Sequence, residues 1–314
     1  MNKDIQVTVL GLCGNSVFMT VDHFHRPGET VSALGRYAEP GGKGYNQAVA
    51  AARLGAKTAF VTCIGDDSDG KMCMDFLQQE GILPLPQTEP GIPSAYACIL
   101  TDKDGENRVT VFRGAADLLS PDFVLLQEDI LARSKFLLLN NEYPQSCNEA
   151  AMALAKKHGV KVIYNPAPAR PVSPEFLSGC YLITPNLSET AVLLGQEAAD
   201  PKALASALRQ CGIANAAVTL GGDGALLVTQ DAALLYPARK VKALDTTGAG
   251  DTFTGALTAA LLEDDCLERA VCLAINAAAL SVSKQYVMPG LPTREALEAD
   301  FQTIMPENLS TTGR

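Results

Sequence analysis

The segment Asp-Thr-Thr-Gly-Ala-Gly-Asp at residues 245–251 places small residues and an acid at the start of an Ala/Leu-rich run that is typical of a helix. Gly248 and Gly250 leave backbone N–H groups uncovered where the helix begins, and such groups bind anions. Asp251 is itself an anion, so a second anion here would lie close to a carboxylate. The pattern therefore indicates phosphoryl transfer, in which Asp251 takes a proton from a nucleophile and the amides hold developing phosphate charge.

A second chemical cluster is Gly-Gly-Lys-Gly-Tyr-Asn at residues 41–46. Gly41 and Gly42 allow the backbone to approach a ligand closely, and Lys43 and Asn46 supply donors. The cluster is not a phosphate-binding Walker A loop, because glycine follows Gly-Lys where that loop has Ser or Thr. A polyol fits better than a phosphate, since the Asn46 amide can bond hydroxyl groups in both directions. A tight strand-to-helix turn is the purely structural alternative.

Two further polar turns follow predicted strands, at residues 183–189 and 218–227. Asn186 and Glu189 have the spacing of a helix capping box, which by itself explains the first turn. A hairpin turn explains the second, which contains Thr219, Gly221 and Gly224. Because the turns would all lie at one edge of the sheet, their convergence favours a shared binding site.

The elements that must position these clusters alternate between strands and helices. Near-continuous apolar strands separated by amphipathic helices predict a parallel sheet that is covered on both faces, which is an α/β fold. The predicted strands are 5–14, 57–65, 135–141, 161–169, 180–186 and 215–222, and the predicted helices are 44–55, 68–81, 147–159 and 201–212.

Two stretches break the alternation. Residues 93–113 contain two β-like runs around a hairpin signal, and residues 16–38 are extended and turn-rich. Together they predict a small antiparallel sheet that lies over the site as a lid. In one continuous chain of 314 residues, this assigns the lid to 14–39 and 93–113 and the α/β core to 1–13, 40–92 and 114–314.

The composition excludes several classes of protein. With 47% hydrophobic and 19% charged residues the chain is typical of a globular protein, and its formal net charge of −10 argues against nucleic acid as a partner. The sequence has no signal-peptide pattern and no apolar run of the roughly 20 residues that span a membrane. Nine scattered cysteines without a Cys-x-x-Cys pair predict free thiols. We therefore expect a cytoplasmic protein without a membrane partner.

Residues 41–67 and 245–261 resemble the two signature segments of the PfkB carbohydrate kinase family. The shorter stretches PGETV, NPAPAR and ITPNLSE resemble the ribokinase branch of that family, and the similarity runs in order from about residue 5 to residue 303. The resemblance implies a ribokinase-like three-layer α/β/α core with a mostly parallel sheet and a small antiparallel β lid. It also implies ATP-dependent phosphorylation of a primary hydroxyl of a small sugar.

The resemblance assigns the catalytic and sugar-binding residues. It implies that Asp251 takes the proton from the sugar hydroxyl, while the backbone N–H groups from Gly248 through Ala249 and Gly250 to Asp251 form an anion hole for the γ-phosphoryl group. The implied sugar contacts are Gly41, Gly42, Lys43, Asn46, Glu142 and Asp251, with Asn15 added because of the change described below.

The resemblance also implies sites for ATP and for metal ions. The expected ATP-binding residues are Asn186, Thr219, Gly221, Gly224, Gly250 and Asn276. Glu189 would help to hold Mg²⁺ through water, and Asp245 and Thr247 match half of a loop that binds a monovalent cation, K⁺ being the candidate. A homodimer is expected through the exposed edge of the lid strands at 93–113.

The sequence departs from the ribokinase pattern in two places. Gly14 and Ser16 stand where an Asn-x-Asp pair usually grips the vicinal diol of the sugar, which leaves the neutral Asn15 as the polar group there. D-ribose is thus the leading substrate, with deoxyribose, fructose, 2-keto-3-deoxygluconate or a nucleoside as alternatives. Tyr286 stands where the cation loop has glycine. A non-catalytic sugar sensor would be expected to lose Asp251 or its glycines, and all are present.

Overall fold

The computed structural model describes residues 5–310, so the parts of the core assigned to residues 1–4 and 311–314 lie outside the described residues. Ten strands form the main sheet. They are β1 (Val7–Leu10), β4 (Thr58–Gly65), β5 (Leu83–Glu89), β8 (Phe136–Asn140), β9 (Lys161–Asn165), β10 (Leu182–Ile183), β11 (Ala216–Thr219), β12 (Ala225–Val228), β13 (Ala233–Tyr236) and β14 (Glu307–Asn308). Their order across the sheet is β14-β13-β12-β11-β10-β9-β8-β1-β4-β5.

The main sheet is parallel from β5 through β11 and antiparallel from β11 to β14. The predicted strand 161–169 ends early, at Asn165, because Pro166 and Pro168 cannot donate to a strand ladder. The predicted strand 5–14 ends at Leu10, and the next strand begins at Gly14.

Helices cover both faces of this sheet. They are α1 (Lys43–Arg53), α2 (Ser68–Gln79), α3 (Pro121–Leu125), α4 (Glu128–Leu131), α5 (Gln145–His158), α6 (Pro174–Ser178), α7 (Leu187–Leu194), α8 (Pro201–Gln210), α9 (Ala249–Asp264), α10 (Leu267–Val282), α11 (Val287–Gly290) and α12 (Arg294–Ala299). In the part of the chain that the structure describes, no helix combines the length and apolar character that crossing a membrane requires.

Two hydrophobic clusters pack between the main sheet and the helices, one on each face of the sheet, and β8 contributes to both. Phe136 and Leu138 pack in the cluster that contains residues of α1, α9 and α10, while Leu137 and Leu139 pack in the cluster that contains residues of α5 and α8. This division follows from the alternation of side chains along a strand that is buried on both faces. The predicted three-layer α/β/α core is confirmed.

A second sheet has four strands in the order β3-β2-β6-β7, namely β2 (Gly14–Thr20), β3 (Gly35–Gly41), β6 (Ala95–Thr101) and β7 (Asn107–Phe112). We call it the small sheet. The β2/β3 and β6/β7 pairings are antiparallel, as expected, and the central β2/β6 pairing is parallel. The parallel pair arises because the chain passes through the core between β3 and β6, so β6 enters the small sheet in the same direction as β2.

The crossing of α1 and α9 brings the two glycine-containing clusters of the sequence together. A Cβ atom on Gly255 of α9 would lie 2.5 Å from the backbone oxygen of Gln47 and 2.7 Å from Cβ of Ala50. Only glycine therefore lets the two helices pack at this distance. The first turns of both helices consequently face each other at the carboxyl edge of the sheet.

Candidate active site

A cleft opens at the carboxyl edge of the main sheet, where β9, β10 and β11 end and α9 begins. Its lining comes from strand ends and from the first turns of α1, α7 and α9, and consists of Lys43, Asn165, Ala167, Thr184, Asn186, Glu189, Thr219, Thr246, Gly248, Ala249, Gly250 and Asp251. The structure therefore brings residues from five separate segments of the sequence to one site, as the topology of a parallel sheet predicts.

Asp251 is the acid at the centre of this cleft, and its side chain is nearly buried, with 7% of the residue exposed. Asn46 Nδ2 donates to its Oδ2 atom at 2.9 Å, and Gln47 Nε2 donates to its Oδ1 atom at 3.1 Å. Burial raises the pKa of Asp251, while Lys43 and the two amide donors act to lower it. Each carboxylate oxygen keeps a lone pair, so Asp251 can still accept a proton.

The first turn of α9 presents backbone donors to the cleft. Its N-cap residue, Gly248, has a φ of 76°, and a Cβ atom there would lie 2.7 Å from Val287 Cγ1. The N–H groups of Gly248, Gly250 and Asp251 have no hydrogen-bond partner within residues 5–310, whereas Ala249 N–H donates to the Thr246 carbonyl at 3.3 Å. Three of the four expected anion-hole donors are thus free to meet an anion.

Lys43 supplies positive charge next to this turn. The Asp251 carboxylate raises the pKa of the half-buried Lys43 ammonium group, with smaller contributions from Glu142 and Glu189, against the effect of burial. Lys43 is therefore a permanent cation among three acids. The site can accept the negative charge of a phosphate because this cation and the α9 donors lie in one cleft.

Glu142 is buried below the start of α1 and binds backbone groups. Its carboxylate accepts hydrogen bonds from the N–H groups of Leu12 at 3.1 Å, Lys43 at 2.7 Å and Gly44 at 2.9 Å. These bonds fix the loop that leads into α1, and they oppose the rise in the pKa of Glu142 that burial causes. The structure thus gives Glu142 a role in loop position, and the expected sugar contact remains a prediction.

Gly41 and Gly42 shape the same loop. Gly41 pairs with Gly14 across the small sheet, and Gly42 has a φ of 136° with a site for Cβ only 2.0 Å from the Leu12 carbonyl oxygen. No other residue fits at Gly42 without moving the chain. The tight turn that was the structural alternative is therefore present, and it sets Lys43 at the cleft.

Asn15 lies on β2 beside this loop but outside the residues that line the cleft. Its Nδ2 atom donates to Asp69 Oδ1 on α2 at 2.9 Å, and its Oδ1 atom is buried without a partner among the described residues. Side chains alternate along a strand, so Asn15 and Ser16 face opposite sides of the small sheet. The sugar contact expected of Asn15 remains a prediction.

The polar turns at residues 183–189 and 218–227 combine the hydrogen bonds of a structural turn with side chains that line the cleft. Asn186 Oδ1 accepts from Glu189 N–H and Glu189 Oε2 accepts from Asn186 N–H, both at 2.8 Å, so the capping box is present. Asn186, Glu189 and Thr219 all line the cleft. Gly221 and Gly224 lie in the turn between the antiparallel strands β11 and β12 and are not among the lining residues.

Asn276 is fully buried in α10 and uses its side chain within the protein. Its Nδ2 atom donates to the carbonyls of Cys272 and Gln302, and its Oδ1 atom accepts from Gln302 N–H and from Arg239 Nη1. The side chain fixes the segment after α12 against α10. A direct contact with adenine, which stays a prediction, would require some of these bonds to break.

Asp245 and Thr247 precede α9 and bond each other. Asp245 Oδ1 accepts from Thr247 N–H at 2.9 Å, and Asp245 Oδ2 accepts from Tyr286 N–H at 3.1 Å. Both oxygens of the acid that was expected to hold a monovalent cation are therefore engaged by backbone donors.

Sequence reasoning missed a chain of amides that leads to Asp251. Asn165 Nδ2 donates to the Thr184 carbonyl at 2.7 Å, and its Oδ1 atom accepts from Gln47 Nε2 at 3.1 Å, the same nitrogen that bonds Asp251. Gln47 has no exposed surface, and Asn165, Thr184 and Thr246 belong to the cleft or its wall. The available signal was the position of Asn165 at a strand end in NPAPAR and of Gln47 beside Asn46.

Comparisons with known proteins agree with this geometry. The model of the pfkB family of carbohydrate kinases matches residues 4–294. The ribokinase of Haemophilus influenzae is 41% identical over 293 residues, which is 92% of this chain and 96% of that protein. The structure of Thermotoga maritima ribokinase superposes with a TM-score of 0.85 at 36% identity, covering 94% of this chain and 98% of the other.

The structure is also similar to that of a plant enzyme with bound ligands. Ribokinase of Arabidopsis thaliana, solved with ribose and ATP, superposes with a TM-score of 0.86 at 28% identity, covering 94% of this chain and 98% of that one. The match of the family model over nearly the whole chain shows the family. As its sequence motifs predicted, the chain belongs to the pfkB family of carbohydrate kinases.

Proposed function

We propose that this protein is a ribokinase, which transfers the γ-phosphoryl group of ATP to a primary hydroxyl of D-ribose. The similarity to ribokinases from Haemophilus influenzae and Thermotoga maritima over more than nine tenths of the chain supports this function. The observation that carries it is the position of Asp251, a nearly buried carboxylate at the start of α9 beside unpaired N–H donors in the cleft.

The proposed reaction uses Asp251 as the general base. The hydroxyl oxygen of the sugar forms a bond to the γ-phosphorus, the bond from that phosphorus to the bridging oxygen of ADP breaks, and the hydroxyl proton passes to the Asp251 carboxylate. The N–H groups of Gly250 and Asp251 stabilise the negative charge on the transferring group, and Lys43 adds a fixed positive charge. Such positioning and charge stabilisation account for most of the catalysis in phosphoryl transfer.

The residues present fit a magnesium ion that is held through water. Among residues 5–310, no group of three or more acidic, histidine or cysteine side chains could hold a metal by itself. Mg²⁺ binds to proteins through one or two carboxylates, with water and substrate phosphates completing its ligands. Glu189, whose Oε1 atom is not used in the capping box, would supply the carboxylate. When bound, the ion neutralises phosphate charge.

The proposed reaction does not need a monovalent cation at Asp245 and Thr247. Backbone N–H groups engage both oxygens of Asp245, and the guanidinium group of Arg53 donates to the carbonyls of Met288 at 2.6 Å and Leu291 at 2.9 Å. Hydrogen bonds of the protein thus hold this loop, and each Asp245 oxygen keeps a lone pair. No step of the proposed reaction depends on this ion.

The small sheet would act as the lid of the active site and as a dimer interface. Val109 and Val111 are 58% and 54% exposed, and they lie on one face of the edge strand β7. An edge strand with exposed apolar side chains is a surface on which proteins associate. We infer that a second copy of the chain covers this face.

The substrate is tested by ADP release from MgATP with a panel of acceptors. The panel contains D-ribose, 2-deoxyribose, fructose, 2-keto-3-deoxygluconate and several nucleosides, and the phosphorylated product is identified by mass spectrometry. The proposal predicts the highest kcat/KM with D-ribose. ADP release with only another acceptor would mean that the protein is a kinase with a substrate other than D-ribose. Binding of sugar without ADP release would indicate a sensor.

A further inference from the structure

Tyr286 has a backbone conformation that is normally reserved for glycine. Its φ of 66° and ψ of 165° lie in a region that residues with a side chain almost never occupy. Such a conformation persists only where the surrounding structure fixes it. The contacts of Tyr286 with the surrounding residues must therefore stabilise this backbone conformation.

Aromatic side chains of the small sheet fix the ring of Tyr286. The ring stacks on that of Tyr37 in β3 with 3.9 Å between centroids and 20° between planes, and it meets the edge of Phe18 in β2 at 5.3 Å. Phe18 and Tyr37 are directly paired across the two strands. The Tyr286 ring is thus a contact between the small sheet and the segment that precedes α11.

Glu39 continues this contact along the same face of β3. It is 4% exposed, and its carboxylate accepts hydrogen bonds from Val287 N–H at 3.0 Å and from Met288 N–H at 2.9 Å. Burial raises the pKa of Glu39, and the two N–H donors oppose that rise. With Tyr286 N–H bound to Asp245, three consecutive backbone donors face two carboxylates.

The segment that Glu39 holds is the wall behind the catalytic turn. Val287 Cγ1 lies 2.7 Å from the site that a Cβ atom on Gly248 would occupy, so Val287 packs directly against the N-cap of α9. Movement of residues 286–288 would therefore move the turn that presents the Gly250 and Asp251 N–H groups to the cleft.

We propose that Glu39 is a positioning residue of the kinase, which clamps residues 286–288 and thereby fixes the first turn of α9 in register with the small sheet. This inference rests on the proposed function for its effect on turnover. Glu39 lies in the buried half of β3, away from the exposed start of that strand at Gly35. It holds Val287, which packs against Gly248, so the position of the small sheet determines the position of the anion-binding donors.

The first test compares amide hydrogen exchange in the wild type, Glu39→Ala and Glu39→Gln without substrate. The inference predicts at least tenfold faster exchange of the hydrogen-bonded amides of this turn, Thr247, Ala249 and Thr252, in Glu39→Ala, and a smaller increase in Glu39→Gln, which keeps one acceptor oxygen. Glu128→Gln, which removes an exposed carboxylate paired with Lys157, is the control and should leave this exchange unchanged. Unchanged exchange of these three amides in Glu39→Ala would overturn the inference, whatever the activity of the protein.

Turnover separates positioning from a merely structural role. We expect kcat to fall at least tenfold in Glu39→Ala with little change in the KM for ATP, and its effect to be non-additive with that of Gly250→Ala, because both act on one turn. Tyr286→Gly should fold, since glycine suits its backbone, yet lower kcat because the Tyr37 stack is lost. The inference would be contradicted if the effects of Glu39→Ala and Gly250→Ala on kcat were additive and Tyr286→Gly kept the kcat of the wild type. A wild type without any kinase activity would refute the proposed function and leave the exchange result standing.

Discussion

Gln47 and Asp251 lie 204 residues apart in the chain and are joined by a hydrogen bond of 3.1 Å from Nε2 to Oδ1. The orientation of the Gln47 amide is fixed, because the same nitrogen donates to Asn165 Oδ1 and Asn165 in turn donates to the carbonyl of Thr184. A backbone carbonyl can only accept, so this chain of bonds has one direction. Asp251 consequently faces donors, which favour its ionised form.

Replacement of Gln47 by leucine should therefore shift the pH dependence of turnover. The amide donor lowers the pKa of Asp251, and a base must be ionised to act. Without the donor the pKa of Asp251 rises, so the acidic limb of the kcat–pH profile moves to higher pH. Gln79→Leu, an exposed change at the end of α2, is the control and should leave the profile in place. An unshifted limb in Gln47→Leu would show that Gln47 does not tune the base.

Gly250→Ala should make the protein more stable and less active. No atom lies within 4 Å of a Cβ at this position, and alanine stabilises a helix over glycine by about 0.5–1 kcal/mol. Gly250 lines the cleft, so we expect the added methyl group to displace the transferring phosphoryl group. A displacement of about 1 Å can cost about 100-fold in rate. Thermal unfolding and steady-state ADP release measure the two effects.

Gly248→Ala is the matched control for that change, two residues earlier in the same turn. With a φ of 76° and Val287 at 2.7 Å from the new Cβ, alanine should destabilise the fold by at least about 1–2 kcal/mol. Equal effects of the two substitutions on the unfolding temperature would contradict the description of this turn.

Turnover should not depend on potassium. Because protein donors engage Asp245 and Arg53 occupies the Met288 carbonyl, the loop is already held without a cation. We expect kcat and KM in KCl to equal those in choline chloride at matched ionic strength within about twofold, a difference of about 0.4 kcal/mol. Activation of tenfold or more by K⁺, absent with choline, would show that the ion binds here.

A charge on the exposed face of β7 should change the oligomeric state of the protein. Val111→Glu places a charge on the proposed interface and should convert a dimer to a monomer in sedimentation velocity. Leu126→Glu changes an even more exposed apolar residue, 78% exposed, that follows α3 outside the small sheet, and should leave the dimer intact. A wild type that sediments as a monomer would refute the interface.

The order of elements and the location of the site could be predicted from the sequence. Apolar runs such as 135–141 and helices ended by glycine, such as the one before Gly159, specify their structure locally. The parallel sheet then brings Asn186, Thr219 and Gly250 to one edge, because the carboxyl ends of parallel strands meet there.

The partners of the polar side chains could not be predicted, because they depend on packing between distant segments. Asn46 donates to Asp251, while its expected sugar contact stays a prediction, and Asn15 bonds Asp69 on a helix that sequence reasoning did not connect with β2. The roles of Gln47 and Glu39 likewise follow only from the crossing of α1 with α9 and from the contact of β3 with residues 286–288.

The most direct test of the account is ADP release from MgATP and D-ribose by the wild type and by Asp251→Asn. Loss of a general base should lower kcat by about 10²–10⁴-fold, with the KM for ATP and the unfolding temperature close to those of the wild type. That result would establish Asp251 as the base of a sugar kinase. Turnover of the variant within a few fold of the wild type would contradict the proposed mechanism.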